Sequence, residues 1–136
     1  MSEGSKSQSG MQKLEELTAK LQTDPYSSLD TIFDRSIDLL CIVDDSGYFL
    51  KVSKSFTNEL GWSGEELMSK PFLSFMHPDD IEPSIACWKK TQDGHPTIDF
   101  KNRYKTKAGD YKTLVWSLPG LHNGIVFSVA KVEKVI

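Results

Sequence analysis

Nine consecutive residues, Thr97 to Lys105, alternate between two kinds of side chain. Ile98, Phe100, Asn102 and Tyr104 take the even positions, and Thr97, Asp99, Lys101, Arg103 and Lys105 the odd ones. Successive side chains on a strand point to opposite faces, so this pattern predicts a long strand with one buried face and one wet face. Such a strand is stable only inside a larger sheet. The residues that follow supply it. Ala108-Gly109-Asp110 turns the chain, Leu114, Trp116 and Leu118 continue the inward face, and Pro119-Gly120 ends that strand. Asn123-Gly124 is a strong hairpin turn, and Ile125 to Val132 reads as a further strand.

Upstream, the apolar run Leu39 to Val43 suits a central strand, Asp44-Asp45-Ser46-Gly47 has the residue types of a tight turn, and Tyr48 to Val52 returns. From Ser53 to Gln92 the period becomes helical, broken at Gly61, Lys70-Pro71 and His77-Pro78. Ser55 to Leu60 makes a first short helix. Ser63, with Glu66 at the capping-box position, opens a second through Met68. The longest, 79–92, is expected to be capped by Asp79 or Asp80 and to turn Ile81, Ile85 and Trp88 to one side. Pro83 falls in its first turn, where proline is tolerated, and Lys89 and Lys90 complement the dipole at its end. The order is two strands, several helices, three strands, which is an α+β domain.

The N-terminus is expected to be a flexible tail over 1–11, serine-rich and poor in apolar groups. An amphipathic flanking helix follows over 12–25, with Leu14, Leu17 and Leu21 in one stripe and Asp24-Pro25 at its end. A helix this short needs cover from its own domain, a second copy or an upstream partner. Leu14, Leu17 and Leu21 are therefore the candidates for dimerisation, and a homodimer through this helix is one expected assembly. A second helix, Ser27 to Arg35, carries Leu29, Ile32 and Phe33 on one side.

With 136 residues there is room for one core, assigned to 26–132, and 133–136 is the C-terminal end. A net charge of −3 gives no basic excess for phosphate backbones, so nucleic acid is not an expected partner. The opening residues lack a secretory signal, and no run approaches the ~18 apolar residues of a membrane span. A cytoplasmic location is expected. Cys41 and Cys87 lie in apolar settings without a CxxC spacing, as structural thiols do. His77, His95 and His122 show no ligand spacing, so no metal site is expected. No P-loop, dinucleotide fingerprint, HExxH or nucleophile elbow occurs, and no catalytic residue is assigned.

The stretch from Asp38 through the Asp44-Asp45-Ser46-Gly47 turn to Val52, with Phe56, then Leu60-Gly61-Trp62-Ser63 to Glu65-Glu66-Leu67, resembles the opening of PAS domains. His77-Pro78-Asp79-Asp80 and the Phe100 to Tyr111 stretch with Trp116 are similar to the rest of that family's pattern. Two positions depart from it. Ser53 stands where many relatives have asparagine, and Val132-Glu133-Lys134 stands where an Asp-Ile-Thr usually leads to an output helix. The resemblance implies a five-stranded antiparallel sheet with short helices over one face. It also implies a sensory, signal-transducing role of the kind found in two-component systems, with an effector kinase or another signalling domain as partner.

The family's usual cavity lies between the long helix and the sheet, which makes Ile85, Trp88, Phe100, Asn102, Tyr104 and Trp116 the ligand-pocket candidates. Asn102 points inward among apolar neighbours, where an unpaired amide is costly. It is expected either to bond helix or loop backbone or to anchor a ligand's polar group. The matching stretch Pro71 to Met76 has no cysteine for a light-driven flavin adduct, and the long helix has no histidine for haem. Non-covalent flavin, stacked on Trp88 or Trp116, is the better of the two cofactors, and many members hold none. The alternative role is a ligand-free dimerisation module.

Overall fold

The computed structural model describes residues 10–16 and 28–134. Residues 10–16 are helical (α1), so the flanking helix already includes the two residues before the 12–25 span that its apolar stripe suggested. The rest of that expected helix, with Leu17, Leu21 and Asp24-Pro25, lies outside the described residues, as does the tail before Gly10. Helix α2, Leu29–Arg35, is capped by Ser28, whose side chain accepts from Thr31 N.

The five strands are β1 (Leu39–Asp44), β2 (Phe49–Val52), β3 (Thr97–Lys105), β4 (Tyr111–Leu118) and β5 (Ile125–Val132). They form one antiparallel sheet in the order β2-β1-β5-β4-β3. The N-terminal hairpin and the three C-terminal strands are thus joined by β1 against β5, with Leu39 opposite Ala130 and Asp44 opposite Ile125. Every residue of β1 is buried, as its unbroken apolar run predicts for a strand covered on both faces. The β1–β2 turn is held by Asp44, whose Oδ1 accepts from Ser46 N, Ser46 Oγ and Tyr48 N. In the β4–β5 connection Asn123 (φ 54) and Gly124 (φ 81) both take positive φ, the requirement of the tightest hairpin turns.

Four helical segments cover the inner face: α3 (Lys54–Leu60), α4 (Gly64–Met68), a 3-10 turn at Phe72–Phe75, and α5 (Pro78–Gln92). Ser53 is fully buried and does two tasks, capping α3 through Phe56 N and accepting from Leu40 N of β1. Ser63 and Glu66 form the expected capping box. The cap of α5 differs from expectation. Pro78 starts the helix one residue earlier, and His77 is the cap, its Nδ1 accepting from Asp79 N at 3.0 Å. Asp80 is then free to clamp Arg103 of β3, accepting from Nε at 2.9 Å, Nη2 at 2.8 Å and the backbone N at 2.7 Å. The His-Pro-Asp-Asp segment is therefore the joint between α5 and the sheet.

The core has two parts, one on each face. The inner one gathers Leu39, Cys41 and Val43 of β1 with Phe49, Phe56, Tyr104 and Trp116. The outer one gathers Leu40 and Ile42 of β1 with Leu14, Leu29 and Phe33. Helices α1 and α2 thus cover the outer side of β1, while the remaining helices cover the inner side.

Candidate functional site

The inner face and α5 enclose a cavity because α5 turns the small residues Ser84 and Cys87 toward the sheet. Ser84, Cys87 and Trp88, at i, i+3 and i+4, form its wall on the helix side. From the sheet come Cys41 and Val43 of β1, Phe49 of β2, Phe100, Asn102 and Tyr104 of β3, Trp116 and Leu118 of β4, and Ser128 of β5; Phe72 closes one side. The cavity measures about 40 Å³. At roughly 10–15 Å³ for each enclosed water, it has room for about three. Its deep wall is fully buried, whereas Trp88, Phe100 and Leu118 are only half-buried and mark the mouth.

Of the six expected pocket residues, Trp88, Phe100, Asn102, Tyr104 and Trp116 line this cavity and Ile85 does not. Ile85 follows the wall residue Ser84 by one position, about 100° around the helix. A second correction concerns Ile98, expected inward but 75 % exposed. The pairing of β3 with β4 is irregular between Thr97 and Phe100, and Asp99 takes φ 60 there. This bulge resets the alternation: Thr97 and Phe100 turn in, and Ile98 turns out. Thr97 Oγ1 then meets Cys87 Sγ at 3.8 Å.

Asn102 is buried and fully engaged. Its Oδ1 accepts from Trp116 Nε1 at 2.7 Å, and its Nδ2 donates to Ser84 Oγ at 3.2 Å and faces Met76 Sδ at 4.0 Å. The partners are thus side chains of β4 and α5, where the sequence offered helix or loop backbone or a ligand's polar group. One amide ties the helix to the sheet across the cavity wall. The Cys41 thiol is hydrogen-bonded to Ser128; burial pushes it far above its usual value, the bond to Ser128 offsetting part. Burial likewise raises the Tyr104 phenol, with the nearby Cys41 adding to the effect. Both cysteines are free and buried. The wall carries no carboxylate, imidazole or amine.

The wall residues that sequence reasoning missed, Ser84 and Cys87 above all, do leave a signal. Small residues at helical spacing on an otherwise core-facing side mark where a helix stands off a sheet. No histidine lies on its wall to ligate haem. Leu14 is 7 % exposed and packs within its own chain, among Leu29, Phe33, Leu40 and Ile42. No helix among the described residues is long and apolar enough to cross a membrane, and none of their His, Cys, Asp and Glu residues cluster as a metal site.

A sequence profile of the family described as the PAS fold matches residues 49–125. Among solved structures, the chain is similar to a domain of a sensory box sensor histidine kinase/response regulator from Geobacter sulfurreducens. The TM-score is 0.70 at 21 % identity, covering 83 % of this chain and 96 % of that one. The PAS domain of an HTR-like protein from Haloarcula marismortui aligns at TM-score 0.66 and 18 % identity, over 90 % of this chain and 96 % of that one. The PAS domain of the quorum-sensing receptor RpfR from Cronobacter turicensis, in complex with C12:0, aligns at TM-score 0.64 and 14 % identity, over 74 % and 98 %. Identities this low establish a shared fold only. No curated protein sequence matches the chain.

Proposed function

Since this chain belongs to the PAS family, whose members are sensory domains of signalling proteins, we propose that it binds a small ligand in the cavity beneath α5 and relays occupancy through β1 to helices α1 and α2. The observation that carries this reading is the double use of one strand. Cys41 and Val43 of β1 face the cavity, while their neighbours Leu40 and Ile42 pack against Leu14, Leu29 and Phe33 on the other side. A ligand that shifts β1 moves both layers, and it can bias the equilibrium between two arrangements only by its differential affinity for them. The ligand-bound RpfR relative supports a binding role for the fold.

Cys87→Met tests the relay, because a flexible thioether fills the cavity without a ligand. Amide NMR shifts reaching Leu14, Leu40 and Ile42 support it. Shifts confined to α5 and the inner face overturn it.

A second reading is a dimerisation module. It draws on exposed Met11, Ile32 and Phe127, carried by α1, α2 and β5. The burial of Leu14 leaves Leu17 and Leu21 as the proposed contacts from the original stripe. Sedimentation of the full chain decides: a monomer at high concentration removes this reading, and the effector, a kinase or another signalling domain, is then its proposed partner.

A further inference from the structure

We infer that the cavity takes a small uncharged molecule with a single hydrogen-bonding head, seated with that head on the Tyr104 hydroxyl and its apolar end toward the mouth at Trp88, Phe100 and Leu118. This rests on the reading of the cavity as a ligand site and names the class of ligand.

Two features of the wall exclude an ion. No Lys, Arg, His, Asp or Glu side chain lines it. The nearest clamp, Asp80 with Arg103, is already paired and off the wall. An ion entering here loses its hydration and finds no counter-charge, a loss that apolar contacts do not restore. The titratable groups that do face the space are the two thiols and the phenol; burial holds Cys41 and Tyr104 in their neutral forms.

The place of the head follows from which polar atoms remain unused. Asn102 Oδ1 is occupied by Trp116, its Nδ2 faces Ser84, and Ser128 is bonded to Cys41. Tyr104 is different. It is 2 % exposed and lines the cavity, and among the described residues none hydrogen-bonds its hydroxyl. Its oxygen is not sealed off like a fully buried orphan but keeps contact with the cavity space, where a water or a ligand can bond it. A phenol both donates and accepts, and so suits an alcohol, an amide or a carbonyl. The size limit is equally plain: three enclosed waters correspond to a head of about three or four non-hydrogen atoms, with any longer apolar part lying in the mouth.

The test is an NMR titration of the full chain at neutral pH with 1-butanol, butyrate and butylammonium, repeated on Tyr104→Phe. Butanol is expected to shift the wall residues saturably, while the two ions at equal concentration leave them unmoved. Tyr104→Phe, which removes a hydroxyl that no described residue bonds, should melt at the wild-type temperature and bind butanol about 3- to 10-fold more weakly, the worth of one hydrogen bond. If either ion saturates the same residues as tightly as butanol, the neutral class is overturned and the ligand site stands. If the Phe variant binds butanol as wild type does, the placement of the head is overturned. If none of the three probes moves the wall, the cavity is not a ligand site and both readings fall together.

Discussion

Replacing Asn102 by alanine removes a side chain that joins α5 to β4 across the cavity wall. The indole N–H of Trp116, now bonded at 2.7 Å, is left buried without an acceptor. An orphaned buried donor costs about 1–3 kcal/mol, and the bond to Ser84 adds about 0.5–1.5 kcal/mol. Part of this is recovered if a water enters the enlarged cavity, so the expected loss is about 2–3 kcal/mol. For a domain of this size that lowers the melting temperature by roughly 6–15 °C. Urea denaturation measures the loss at 25 °C, and the double variant Asn102→Ala/Trp116→Phe isolates the pair. Trp116→Phe alone strands the amide oxygen, but in the double variant neither partner is stranded. The double should therefore cost at least about 1 kcal/mol less than the sum of the singles. Additivity within about 0.5 kcal/mol, or a single-site loss below that value, would refute the view that this amide holds helix to sheet.

Three further outcomes follow from the geometry. Arg103 holds the Asp80 carboxyl below its ordinary value, chiefly by hydrogen bonding. A lowered folded-state value stabilises above the unfolded value and is lost as pH falls through the folded one. Stability should therefore decline below about pH 4, and Asp80→Asn should flatten that decline at a cost of about 1 kcal/mol at neutral pH, as urea melts across pH will show. Gly120→Ala should cost more than Gly109→Ala in thermal melts: both have positive φ, but only at Gly120 would a Cβ meet backbone, Gly94 O at 2.7 Å. The difference should reach about 1–3 kcal/mol, and equal losses would contradict the close approach. Cys41, buried and held as a neutral thiol, should react with iodoacetamide far more slowly than an exposed thiol does; labelling at the rate of an exposed thiol under native conditions would contradict its placement.

Much of this fold was legible because each signal was local. The alternation in β3, the Asn123-Gly124 turn, the Ser63–Glu66 capping box and the apolar run of β1 all act within a few residues. What was not legible depended on partners distant in sequence. The bulge at Asp99, which sends Ile98 outward, breaks a pattern that nothing nearby interrupts. Asp80 reads as a helix cap until Arg103, 23 residues on, offers a two-pronged partner. The cavity followed the same rule. Aromatic candidates were found because they are large and inward-facing, but a void is set by small residues such as Ser84 and Cys87, whose effect appears only once α5 lies over the sheet. Likewise Leu14 belongs to a stripe that suits a partner helix equally well, until β1 and α2 bury it.

Occupancy of the cavity beneath α5 by a ligand is what separates a sensor from a bare scaffold. It is tested most directly by mass spectrometry of the denatured extract of freshly purified protein, beside its absorption spectrum. A colourless, uncharged small molecule is expected, released in proportion to the protein and absent from a Cys87→Met preparation. A charged metabolite or a flavin in stoichiometric amount, or the same molecule released equally from the Cys87→Met variant, would contradict it.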